Sequence, residues 1–139
     1  MKQSLIFFLM LACTVTCYAQ DGEAAARACL EHYMSGEPGR MEQAFHPSAT
    51  MKYIDYKTGE FKDVPIAEFL ERVKTNYNNN KGAKPNRTIE IVSLNMEGTA
   101  AQAKIKIETD KVVMYDYMNL LKLDNGWKIV SKIFSRQDK

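Results

Sequence analysis

Apolar and polar residues recur along the chain with two periods, and each change of period marks a new element. From Glu23 to Ser35 the period is helical. Ala26, Cys29, Leu30, Tyr33 and Met34 fall on one stripe, and Glu23, Arg27 and Glu31 form an opposite charged stripe. Gly36, Pro38 and Gly39 end this helix, and a short helical turn from Arg40 to Phe45 stops before Pro47. Ala49 to Tyr56 reads as a strand, with Thr58-Gly59 turning into a second short strand near Phe61. Pro65 then opens a second amphipathic helix, whose face is Ile66, Phe69, Leu70, Val73 and Tyr77. Asn76 to Asn86 is polar and predicts a loop; within it begins Asn86-Arg87-Thr88, a glycosylation-type tripeptide of little specificity.

The last third predicts a meander of three long strands. Ala101, Ala103, Ile105 and Ile107 alternate cleanly with Gln102, Lys104, Lys106 and Glu108. In the strand before, the apolar phase slips from Ile89 and Ile91 to Leu94 and Met96, as a β-bulge would make it, and bulges bend sheets. Asn125-Gly126 predicts a two-residue hairpin turn that would pair Lys122 with Ile129 and Met118 with Ile133. A second two-residue turn at Asp110-Lys111 would set Ile107 against Met114 and Ile105 against Asp116. The face so formed is apolar from Ala101 to Ile133, with Asp116 in its midst. The opposite face carries Tyr115, Tyr117, Leu121, Val130 and Phe134 among Lys104, Lys106, Lys128 and Lys132. It is too apolar for a fully solvated surface and predicts a homodimer contact.

The first residues have another pattern. Lys2, the apolar run from Leu5 to Ala12 and the small residues around Cys17-Tyr18-Ala19 read as a cleavable export leader, residues 1–19. One domain, 20–139, would then be delivered to the periplasm or the cell exterior. An alternative is lipoprotein anchoring through Cys13. Loss of the leader leaves Cys29 alone, so no internal disulfide is expected. The net charge is +2, or +1 without Lys2, which gives nucleic acid no electrostatic footing. No later segment is long and apolar enough for a transmembrane helix.

Candidate chemistry centres on Asp116, because a carboxylate on an apolar face must be compensated. It could be a general base or simply a satisfied structural acid. His46 could assist it, or merely cap a helix end. Tyr33, Tyr53, Phe69, Ile105, Met118 and Trp127 are candidates for the wall of a ligand pocket, with ordinary core packing as the alternative. Two separated His and one Cys make no metal site, and neither a phosphate-binding glycine loop nor a nucleophile elbow is present.

Four segments carry a family resemblance: Ala44-Phe45-His46-Pro47, Gly98-Thr99-Ala100-Ala101, the run from Asp116 to Lys122, and the run from Gly126 to Phe134. With helices first and a bent sheet last, the chain resembles the nuclear transport factor 2-like (SnoaL-like, cystatin-like) superfamily, and within it the putative lumazine-binding family. That resemblance implies an α+β cone, a strongly curved antiparallel sheet wrapped around three helices of the N-terminal half, and an apolar pocket at its wide end. The superfamily includes dehydratases, isomerases, polyketide cyclases and binding modules, so fold alone does not choose among them. The expectation is a domain that binds a small apolar or aromatic molecule and needs no cofactor. Two alternatives stand beside it: a lyase or isomerase using Asp116 as base with His46 or Tyr53, and a homodimeric interaction module.

Overall fold

The computed structural model describes residues 21–139 apart from Pro85. The leader and Cys13 readings lie outside these residues. A first helix, α1, covers 21–34, and α2 follows at Pro38–Ala44. Strands β1 (Phe45–Ile54) and β2 (Phe61–Pro65) come next, then α3 (Ile66–Asn79). The meander is β3 (Thr88–Glu97), β4 (Ala100–Glu108), β5 (Val112–Leu123) and β6 (Gly126–Asp138). This is an α+β fold of three helices and one curved, open sheet.

The six strands lie in the order β2-β1-β6-β5-β4-β3. All neighbours are antiparallel except β1 and β6, which run parallel, so the expected antiparallel sheet is in fact mixed. The chain reaches that pairing through α3, which occupies the connection between the first two strands and the meander. α3 also extends to Asn79, so the polar stretch expected to be loop from Asn76 starts within a helix. Its apolar face turns Ile66, Phe69, Leu70 and Val73 towards the core.

The α1 stripe is buried as its spacing demands: Ala26, Leu30 and Tyr33 are almost inaccessible. They meet the β4 and β5 face, where Ala103, Ile105, Met118 and Leu120 are buried too. β4 and β5 take the expected register, with Ile105 opposite Asp116 and Ile107 opposite Met114. The β3 phase slip is a bulge: pairing shifts between Ile91 and Ser93, and Val92 is left exposed.

β6 departs from expectation in two places. The turn is Asp124-Asn125, not Asn125-Gly126; Leu123 pairs with Gly126, which takes φ +101°, a conformation that suits glycine. A second bulge then intervenes, since Leu120 pairs with Ile129 but Asn119 with Ser131, leaving Val130 extra. The first shift moves the pairing by two residues and keeps Trp127 and Ile129 inside. The bulge takes back one of the two, and every later side chain changes face. Ile133, expected in the core, is 52% exposed, while Lys132, expected outside, is 5% exposed opposite Met118. Phe134 moves inward as well and stacks on Tyr53, so it does not belong to the convex patch.

Candidate functional site

Three elements distant in sequence bring one polar cluster together on the concave side. Tyr33 comes from the last turn of α1, Asp116 from the middle of β5, and Lys132 from β6 just past the bulge. Tyr33 donates its hydroxyl hydrogen to Asp116 Oδ2. Lys132 Nζ donates to the same carboxylate oxygen at 3.0 Å and to Tyr33 Oη at 2.8 Å. Asp116 and Lys132 are the charged side chains buried among the described residues, and each satisfies the other. The ammonium is also enclosed by rings, 5.0 Å from the centroids of Tyr33 and Phe69 and 5.4 Å from that of Phe134.

Burial shapes the titration of this cluster. It pushes the Tyr33 phenol well above its ordinary value, and the charge of Asp116 adds to the rise. Tyr33 therefore stays a proton donor. Burial also draws the Lys132 ammonium below its ordinary value, opposed by the attraction and hydrogen bond of Asp116. The positive charge of Arg87 pulls both groups down.

The cluster forms part of the floor of a cavity of about 440 Å³. Met41, Met51 and Ile107 complete that floor, and Tyr56, Arg72, Asn76 and Asn80 stand around the mouth. One wall is the stacked pair Tyr53 and Phe134, with ring centroids 4.7 Å apart. Of the residues expected to line a pocket, Tyr33, Tyr53 and Phe69 do so. Ile105, Met118 and Trp127 do not line it; they are buried in the core. Among the described residues the Trp127 indole N–H has no hydrogen-bond partner.

His46 is not part of this site. Its Nδ1 lies 2.7 Å from Ser48 Oγ, and the ring borders a separate hollow of about 560 Å³ between α2 and α3. The expected approach to Asp116 fails because β1 begins at Phe45. Phe45 turns into the core, and its neighbour His46 is carried away from the concave side. Cys29 donates its thiol to the Ala44 carbonyl at 3.4 Å, and burial pushes it up to about 11, far from a reactive thiolate. Among the described residues no group of three or more His, Cys, Asp or Glu is placed to hold a metal ion.

Residues 21–135 match the family described as "Putative lumazine-binding". The chain belongs to that family. Its fold is NTF2-like: an NTF2-like protein from Shewanella baltica OS155 superposes with a TM-score of 0.73 at 25% identity, covering 88% of this chain and 98% of that one. An NTF2-like protein from Methylobacillus flagellatus KT gives 0.68 at 28% identity, over 84% and 93% of the two chains. A curated relative, aldolase FrzH from Cladobotryum sp., is 23% identical over 121 residues, 86% of this chain and 93% of its own.

In this member of the putative lumazine-binding family, the most informative partner of Asp116 is one that alternation along β6 does not reveal. Plain alternation puts Lys132 on the outer face; the β6 bulge turns it inward, and Arg136 with it. A signal was present: apolar residues double at Ile129-Val130 and again at Ile133-Phe134, the kind of phase break that revealed the bulge in β3. Arg87 and Met51 carried no comparable mark.

Proposed function

We propose that this protein binds a small aromatic molecule in the cavity above Tyr33, Asp116 and Lys132. The observation that carries the reading is the cavity itself: apolar and aromatic walls, with a few polar groups converging at the floor, are how proteins hold and orient small ligands. Membership of a family named for lumazine binding supports it and supplies a first probe. A thermal-shift panel of lumazines, flavins and simple aromatic acids should contain a compound that raises the melting temperature, and co-crystals should place it against Phe69 and the Tyr53–Phe134 pair. A panel without any such compound, or one seated elsewhere, sinks this reading. The leader makes the domain an exported one, and the mature N-terminus should then be Gln20.

A second reading, catalysis, is favoured by the shared hydrogen bonds of a buried acid, amine and phenol beside the cavity. The relative named as an aldolase points the same way. Asp116 would accept a proton from carbon next to a carbonyl group, and the Lys132 ammonium or Tyr33 hydroxyl would stabilise the resulting oxyanion. Deuterium exchange at such carbons, followed by NMR over a panel of ketones and aldehydes, should occur with the protein and vanish in Asp116→Asn. Exchange at the rate of buffer alone would leave binding as the whole activity.

A further inference from the structure

The pocket carries an excess of positive charge that its own residues do not balance. Arg72, Arg87, Lys132 and Arg136 line it, against Asp55 and Asp116. Neither acid is available to a further cation. Asp116 is engaged by Lys132 and Tyr33, and Asp55 accepts the backbone N–H groups of Lys57 and Thr58 in the turn after β1. Two of the arginines have partners. Arg136 binds Asp138 and lies 4.1 Å over the Tyr56 ring, and Arg72 lies 3.7 Å from Glu68 on the exposed side of α3.

Arg87 is different. Among the described residues it pairs with no carboxylate; the ion pairs are made by other side chains. It is half-buried just before β3 and reaches across to the α1–α2 connection, where Gly36 has φ +71°. A Cβ at Gly36 would stand 3.3 Å from its Nη2, so the guanidinium occupies the room a side chain would take. From there its charge acts on both Tyr33 and Lys132. Two cations, Lys132 and Arg87, thus face a pocket that offers them one carboxylate. Like charges lining one pocket repel, and a bound anion removes that cost.

We infer that the ligand is a planar aromatic carboxylate, its acid group held by the Arg87 guanidinium and its ring laid against Phe69 and the Tyr53–Phe134 pair. This deepens the binding reading of the same pocket and rests on it. A guanidinium presents paired N–H donors that match the two oxygens of a carboxylate, and the aromatic walls supply the face for a flat ring.

The test uses trans-cinnamate and its neutral amide as probes, titrated by calorimetry into the wild-type protein and into Arg87→Met and Arg87→Lys at low and moderate salt. Cinnamate should bind about tenfold tighter than the amide, with a preference that shrinks as salt rises. Arg87→Met should erase the preference, and Arg87→Lys should restore part of it. Equal binding of acid and amide by the wild type, or a preference that survives in Arg87→Met, overturns the carboxylate inference and leaves the pocket reading standing. If neither probe binds up to its solubility limit, the carboxylate inference falls, and the pocket reading is decided by the lumazine and flavin panel. The wild-type comparison stands whether or not a variant folds.

Discussion

Asp116 faces a core of aliphatic side chains, and the two groups that make this tolerable come from α1 and β6. Taking two charges out of water costs several kcal/mol each, so such a pair holds only with good geometry and satisfied lone pairs. Here one oxygen, Oδ2, accepts from both Tyr33 and Lys132. Removing one charge leaves the other stranded. Asp116→Leu and Lys132→Met should each lower unfolding stability by about 3–5 kcal/mol, and Tyr33→Phe by about 1–3 kcal/mol. The double variant Asp116→Leu/Lys132→Met should be markedly more stable than either single one, because no unpaired charge remains. Urea denaturation measures all four; single variants that lose less than the double would show that the pair is not held as described. That Asp116 would need compensation was legible from its place among Ile105, Ile107 and Met118. Which residues would supply it was not, because no local rule links Tyr33 or Lys132 to it across the sequence.

At the scale of elements, the outcome turns on how strands are punctuated. Regular alternation made β4 and its register with β5 readable, and a clear phase slip made the bulge of β3 readable. In β6, adjacent apolar pairs fit either face, so pattern alone does not choose a register. The chain resolves the choice with Gly126 and Val130. Gly126, at φ +101°, lies beyond the small left-handed region that other residues reach, whereas Gly98, at φ +55°, lies within it. An added Cβ meets nothing within 4 Å at either position, so substitution there reports backbone strain alone. Gly126→Ala should cost about 2–3 kcal/mol, the upper part of the range for strained conformations, and Gly98→Ala clearly less. Chemical denaturation of the two variants checks the order. Equal losses would mean that the β5–β6 turn does not hold the strain assigned to it.

The whole molecule is a bent sheet with its helices and cavity on one side, which leaves the other side unaccounted for. Tyr117, Leu121 and Ile133 are 37%, 40% and 52% exposed there. Lys104 lies over the rings of Tyr115 and Tyr117, partly screening them from water. Among the described residues no helix is long and apolar enough to cross a membrane. We propose that two copies meet through this convex face, where Ile133 stands in the place that plain alternation would give Phe134. Sedimentation over a wide concentration range should show a dimer, and Leu121→Glu should yield monomers whose pocket still binds as before. A strict monomer at every concentration would remove this proposal without touching the cavity.

The sequence by itself determined the helices, the meander, the β3 bulge and the presence of an acid on an apolar strand face, because each follows from the spacing of neighbouring residues. Tertiary structure decided the rest: the parallel pairing of β1 with β6, the inward turn of Lys132 and Phe134, the exclusion of His46, and the approach of Arg87 to the pocket. The inward turn of Lys132 and Phe134 depends on which of two nearly equivalent β6 registers buries more apolar surface against the helices, and the other outcomes on how elements distant in sequence meet. That is a property of the assembled core, and no single segment contains it.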